Sequence, residues 1–461
     1  MAQPISGTNG NDILIGTLVD DLIKGRDGDD DLFGEPDVVL DGADFQAGDD
    51  SITGDKGDDI VVGDSENVTF AFPPSGESYF GGDDRLSGGD GGDYLVGDVV
   101  DSGTPDTQQH FGGGDDVLSG GAGADLLIGD VEFGAFFIGA TFSGGDDSLS
   151  GGRGNDQIFG DVRISATGMV GAEDVVMGDD LLRGGSGDDL LSGDVERMNG
   201  VDESGSLTTG SDRLFGGTGN DMLFGDGIDL FAGEDSVFIL GDDDLRGGAG
   251  NDELYGDGGE LRSSVLVEVY TAGNDRLSGG GGDDWIFGDG EHISASETPF
   301  DLLAGDDTLS GGSGNDFLFG DALSADAFTV GDNFGAQIEA GADTINGGSG
   351  DDFIVGDFQA ASVDEVSTIT GGNDLLTGGA GNDTFFFLEG SAEDVITDFR
   401  AGAGSDDMLD VTDYGIDGSN FGTVLGEDAG GNAVLTFNVD DSITLLGVDA
   451  DDLHADDFVP I

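Results

Sequence analysis

Aspartate is the residue type on this chain with chemistry to do, and it is laid out on a grid. Three copies stand nine residues apart, Asp12, Asp21 and Asp30; pairs nine apart then recur at intervals of 31 to 36 residues. The leading members are Asp50, Asp84, Asp116, Asp147, Asp180, Asp212, Asp243, Asp275, Asp307, Asp343 and Asp374. The trailing members are Asp59, Asp93, Asp125, Asp156, Asp189, Asp221, Asp252, Asp284, Asp316, Asp352 and Asp383. A third series follows in Gly-Asp steps: Asp98, Asp130, Asp161, Asp194, Asp226, Asp257, Asp289, Asp321 and Asp357. Trailing aspartates end a Gly-Gly-x-Gly-x-Asp turn, as in Gly311 to Asp316. Glycines let such a backbone curl and bare its carbonyls, and the aspartate adds an anionic oxygen. A hard divalent cation takes six to eight such oxygens in tolerant geometry. For one aspartate alone, a solvated turn residue is the simpler reading. Stacked at a strand spacing of ~4.8 Å, a row of them repels itself unless a cation lies between.

The elements that must hold this grid are short. The full rule is Gly-Gly-x-Gly-x-Asp-x-apolar-x, so each nonapeptide supplies one turn and one strand with one apolar side chain pointing inward. The inward column runs Leu14, Ile23, Leu32, Ile52, Val61, Leu86, Leu95, Leu118 and on to Leu376 and Phe385, apolar throughout. A net charge of −86 would by itself suggest a disordered acidic chain; the unbroken column argues for a folded one. The same charge excludes nucleic acid and acidic membrane surfaces as partners.

The tandem rule resembles the RTX, or haemolysin-type calcium-binding, nonapeptide repeats. That resemblance implies an all-β fold, a right-handed parallel β-roll or β-solenoid, with several calcium ions held in its turns. It implies that the aspartates named above are ligands, each ion taking carbonyls from one turn and an aspartate from its neighbour. The period near 32 residues reads as eighteen ruled residues followed by a variable insert. About twelve coils are expected, with an ordinary edge at the Gly-Gly-x-Gly-x-Asp turns and a second edge opened after Gly-Asp by the insert. If each insert were instead a full coil, equivalent strands would not be neighbours. The expected divisions are 1–46, N-terminal nonapeptides and first insert; 47–388, the roll; and 389–461, a C-terminal cap.

Residues flanking the inward column differ between the two strands of a repeat. Around the first they are mostly polar, as Arg85 and Ser87 or Thr308 and Ser310; around the second they are mostly apolar, as Tyr94 and Val96, Trp285 and Phe287, Phe317 and Phe319. These face outward, and so long an apolar stripe calls for a cover. Strand-like inserts such as Val131 to Phe142 and Leu261 to Tyr270 are expected to fold back over it; otherwise it is a surface for self-assembly or a partner.

Beyond Phe387 the rule stops. Glu393 to Phe399 and Asp406 to Asp410 resemble the segment closing RTX arrays in serralysin-type secreted proteins, and Val434–Phe437 and Ser442–Leu446 read as capping strands. Ala455 to Ile461 looks like a type I export tail, departing from the serralysin ending at Pro460; a plain end cap fits it as well. With no cysteine, no N-terminal signal pattern and no apolar run long enough to span a bilayer, an extracellular, secreted or surface-associated protein using type I secretion machinery is expected. His110, His292 and His454 lack zinc-ligand spacing, and neither His-Glu-x-x-His nor Gly-x-Ser-x-Gly occurs. The expected function is therefore non-catalytic: a structural, matrix or adhesion element folding on calcium and acting through its insert face. Its partners would be calcium and either cell-surface or extracellular polysaccharide or further copies of itself. A glycan-processing groove lined by inserts is the enzymatic alternative. An ice-binding adhesin is another, but the position that would rank threonines reads Asp90, Ala122, Arg153, Ser186, Thr218, Ala249, Gly281, Ser313, Ser349 and Ala380.

Overall fold

The computed structural model describes residues 3–461 except 41–43, 71–77, 102–109, 134–140, 165–173, 200–204, 233–236, 264–268, 297–300, 329–336, 364–367 and 403–406. The chain divides into two compact units: Met1–Asp244 with Arg262–Glu268, and Leu245–Leu261 with Val269–Ile461. Each is a parallel β-solenoid.

In the first unit a complete coil has four faces. The coil around Leu86 begins with Ser78–Phe80, the fourth face in the order used below, then passes through Arg85–Asp90 (first face), Tyr94–Val96 (second) and Val99–Asp101 (third). Every face pairs in parallel with its equivalent one period away: Leu86 with Ile52 and Leu118, Leu95 with Val61 and Leu127, Val99 with Val131, and Tyr79 with Phe111. Direct first-face neighbours mean that the insert is not an extra coil. Its two ends are instead strands of the same coil. Parallel neighbours require a long crossover, and here three faces and the insert supply it.

The inward columns are as read from the sequence: Leu86, Leu95, Leu118 and Leu127 are buried. The third and fourth faces add columns of their own, Val99, Val131 and Val162, and Tyr79, Phe111 and Phe142. Rings in the latter stack with centroids 4.8 Å (Tyr79–Phe111) and 6.0 Å (Phe111–Phe142) apart. The expected insert layer over the second face takes a different form. The insert turns away at the Gly-Asp step and packs outward residues such as Val100 and Ile228 into the corner, against Val62, Val96, Ile128 and Phe159. The third residue of the second-face strand is thereby buried, as at Val62, Val96, Ile128 and Phe159, while the first is left part-open, as at Ile60, 38 % exposed. Within the two long inserts named above, residues 134–140 and 264–268 lie outside the described residues.

The second unit repeats this plan, for example in Arg276–Gly281, Trp285–Phe287, Gly290–Ser296 and Asp301–Leu303. Phe287 and Phe319 are buried and stack at 5.0 Å, whereas Trp285 stands 39 % exposed. Among the described residues nine coils share one continuous third-face sheet, with a separate pair, Val38–Leu40 and Val68–Phe70, in the coils before them; complete coils are fewer than the twelve expected. The first two nonapeptides and the last repeat build only the first two faces, because no comparable insert follows them; the insert after Asp30 carries Val38–Leu40, paired with Val68–Phe70, and Phe45–Gln46, paired with Tyr79–Phe80. The end of this unit is closed by Glu393–Ile396, parallel to Leu375–Ala380, then by Ser442–Leu445 and the antiparallel strands Ala433–Thr436 and Leu425–Glu427. An antiparallel hairpin covers what would be an open parallel edge. The last residues dock too: Phe458 is buried against Phe421, with centroids 4.6 Å apart, and Val459 N–H donates to the Leu409 carbonyl at 3.0 Å. Asp406 of the expected closing segment lies outside the described residues; Met408–Asp410 pairs with Thr384–Phe386.

Candidate metal centres

At the ordinary edge the tight turn is set by glycine. Gly91 has φ +156° and its N–H donates to the Ala122 carbonyl at 2.8 Å. This turn delivers its aspartate to the preceding coil. Asp59 N–H donates to Asp93 Oδ1 at 2.9 Å, and Asp93 N–H to Asp125 Oδ1 at 2.8 Å. The pattern continues through Asp156 and Asp189, and begins with Asp12 and Asp30. In the second unit it links Asp252, Asp284, Asp316, Asp352 and Asp383. One oxygen of each carboxylate is thus tied into the ladder. The other is buried: Oδ2 of Asp59, Asp93, Asp125, Asp284, Asp316 and Asp352 meets no hydrogen-bond donor among the described residues.

At the insert edge the leading aspartates form a parallel ladder. Asp84 N–H donates to Asp116 Oδ1 at 2.6 Å, Asp116 N–H to Asp147 Oδ1 at 2.7 Å, and Asp147 N–H to Asp180 Oδ1 at 2.6 Å. Asp21, Asp50, Asp212 and Asp243 belong to it, as do Asp275, Asp307, Asp343 and Asp374 in the second unit. The Gly-Asp series lies alongside. Asp98 Oδ2 accepts from Gly114 N–H at 3.1 Å, and Asp130, Asp161, Asp194, Asp226, Asp257, Asp289, Asp321 and Asp357 make the equivalent bond to Gly145, Gly178, Gly210, Gly241, Gly273, Gly305, Gly341 and Gly372. The two series meet. One carboxylate oxygen from each of Asp98, Asp116 and Asp130 lies within 4.8 Å of the others; the same holds for Asp64, Asp84 and Asp98, and for Asp161, Asp180 and Asp194. Insertion after Gly-Asp has not broken this edge, because the third and fourth faces leave and return side by side.

Burial makes these acids unlike surface carboxylates. Desolvation, followed by the charge of neighbours such as Asp116 and Asp64, pushes Asp98 well above the usual carboxylate range. Asp116 and Asp130 are raised in the same way. Asp50 is pushed up to about 7, and Asp59, Asp93, Asp125 and Asp189 to about 6, again chiefly by desolvation. Buried carboxylates at this density need either protons or cations.

The surroundings fit a hard cation. A Cβ on Gly54 would lie 2.1 Å from Asp59 Oδ2 and 2.8 Å from the Gly88 carbonyl oxygen; one on Gly97 would lie 1.8 Å from both Asp116 Oδ2 and the Gly129 carbonyl oxygen. Carboxylate and carbonyl oxygens therefore converge where only glycine leaves room. Asp12 and Asp21 fit less well: Thr8 and Thr17, through N–H and hydroxyl, occupy their Oδ2 atoms.

Several participants were not singled out in the sequence. Asp64 and Glu35 extend the Gly-Asp series, Glu35 Oε1 accepting from Gly48 N–H at 2.9 Å; their signal was the same Gly-acid step. Tyr79 OH donates to Asp64 Oδ2 at 2.7 Å. Asp394 and Asp407 prolong the two ladders beyond the last repeat, accepting from Asp374 N–H at 3.0 Å and Asp383 N–H at 3.2 Å. The full glycine spacing that flags the other positions is missing there. Arg400 pairs with Asp407 at 2.7 Å and stands 3.9 Å from Asp383 Oδ2. The histidines serve elsewhere: His110 packs beside Phe80 and bonds Thr141, His292 bonds Ser324, and His454 begins the final turn.

Fold and turns together define a parallel β-solenoid lined by columns of buried acids. A family model described as the RTX calcium-binding nonapeptide repeat matches residues 6–37, 46–70, 80–99, 112–131, 143–162, 177–195, 207–227, 240–260, 271–292, 303–322, 339–360 and 370–391. The chain belongs to this family, and calcium is its cofactor. No curated protein matches the chain. Among the described residues no helix is long and apolar enough to cross a membrane.

Proposed function

We propose that this is a secreted or surface-associated RTX protein that folds as it binds calcium and acts, without catalysis, as a structural, matrix or adhesion element through its insert faces. The observation that carries this reading is the set of buried carboxylate oxygens, such as Asp93 Oδ2 and Asp116 Oδ2, that meet no donor among the described residues. Bound calcium supplies the positive charge and the open coordination sites that these oxygens lack. The ligands would be the aspartates of the three series, with Asp64 and Glu35 added and Asp12 and Asp21 weakest. Backbone carbonyls of the facing glycines would complete each site. Metal-free, the stacked acids repel and the chain's entropy wins, so binding free energy becomes folding free energy. That suits a chain held unfolded where calcium is scarce and folded outside.

Residues 389–461 are read as a serralysin-like cap doubling as a type I export signal, after the roll at 47–388 and the opening nonapeptides at 1–46. Docking of Phe458 supports the cap; export is argued from the resemblance of the tail. A calcium titration of the full chain, followed together by far-ultraviolet circular dichroism and light scattering, tests folding and self-association at once. Native-like dichroism in excess chelator at neutral pH would overturn the coupling of folding to calcium.

A further inference from the structure

Resting on that reading, we propose that the insert edge is a dry, doubly acidic calcium column, which holds its ions more tightly than the ordinary edge and rejects magnesium. The two edges of the first unit differ in both charge and solvent. Each coil brings one buried aspartate to the ordinary edge, as Asp93, but two to the insert edge, as Asp84 and Asp98. Two carboxylates per coil neutralise one divalent ion per coil; one carboxylate neutralises half of it and leaves the rest to carbonyl dipoles.

Access to water differs in the same direction. In the ordinary turn Gly92 is exposed and Gly91 part-exposed, whereas Gly97, Asp98 and Val99 at the insert edge are all buried. The third and fourth faces, which the insert builds, are what seal it. Inside, Asp98 Oδ1, Asp116 Oδ2 and Asp130 Oδ1 are buried with no donor among the described residues. Glu35 shows that an acid stands at this place even where the aspartate is replaced, and its Oε2 is buried without a donor as well. Calcium surrenders its water to such a set of oxygens, whereas magnesium dehydrates reluctantly and keeps several waters. A sealed edge therefore discriminates between the two more sharply than an open one.

The test is release from the calcium-loaded full chain on rapid mixing with excess chelator, with bound calcium counted at equilibrium. Two phases are expected, the slower by at least about tenfold, each ~1.4 kcal/mol of tighter binding giving one decade. The slow amplitude should fall in D98N/D130N, be kept in D93N/D125N, and be unchanged by prior incubation with magnesium. A single phase, or a slow phase reduced in D93N/D125N instead, overturns the proposal while leaving calcium binding intact. No bound calcium at all overturns the reading beneath it too. A milder variant guards against misfolding. Tyr79 donates to Asp64 within this column, so Tyr79→Phe should lower the tyrosine-sensitised emission from the first equivalents of terbium added. Unchanged emission would place those first ions elsewhere and refute the proposal.

Discussion

Two adjacent glycines in one turn should respond oppositely to alanine. Gly91 has φ +156°, and a Cβ added there would lie 1.7 Å from the carbonyl oxygen of Gly57 in the preceding coil. That neighbour is backbone, held in the ladder, and cannot swing aside. A positive-φ alanine costs ~1–2 kcal/mol, and forcing the coils apart costs a further ~1–3 kcal/mol. Gly91→Ala should therefore destabilise by about 2–5 kcal/mol. At Gly92 the nearest atom to an added Cβ is the Ala124 carbonyl oxygen at 3.2 Å, with no positive φ. Other coils already carry Asp58, Ala124 and Asn155 at the equivalent place. Gly92→Ala should stay within about 1 kcal/mol of the parent, slightly stabilising through the unfolded chain. Urea unfolding in saturating calcium measures both. Stabilities for the two variants that agree within about 1 kcal/mol would refute the close stacking of turns on which the metal centres depend.

Three further outcomes are expected. Leu127 is fully buried on the second face, so Leu127→Ala should cost ~2–5 kcal/mol in the same urea assay, without abolishing calcium binding at saturation. The metal-free chain should respond to pH in the opposite sense from most proteins. Asp50, Asp59, Asp93, Asp125 and Asp189 have folded values raised from 3.8 to about 6 or 7, so the stability they allow is fully present below the unfolded value and lost as pH rises through the folded one. Dichroism of calcium-stripped protein should show structure near pH 4 that disappears between pH 4 and 7; equal structure at both ends would contradict it. Arg400→Gln removes the guanidinium from Asp407 and from the end of the ordinary-edge ladder. Because Arg400 is partly exposed, the cost should be about 1–2 kcal/mol, read as a higher calcium midpoint for folding.

Much of the fold was legible because both of its periods are written locally. The nonapeptide fixes a turn and a strand through residues adjacent in sequence, so Leu86 could be assigned to the core and Asp93 to a turn without knowing what lay beside them. The 32-residue period likewise made Leu118 the neighbour of Leu86. The capping strands at 433–436 and 442–445 were readable from short apolar alternation. The insert was harder to place, since its sequence carries no repeated rule. Nothing local says that Val99 begins a third face, that Tyr79 lies inward on a fourth, or that Val100 fills a corner beside Val96.

The sequence alone determined which side chains face inward, where glycine must stand and how often a carboxylate recurs. Only the tertiary structure decided that the two ends of each insert return to one point, bringing Asp98, Asp116 and Asp130 together and shutting water out. Spacing along a chain sets periodicity, but electrostatic need arises from proximity and burial, and these exist only once distant segments stack.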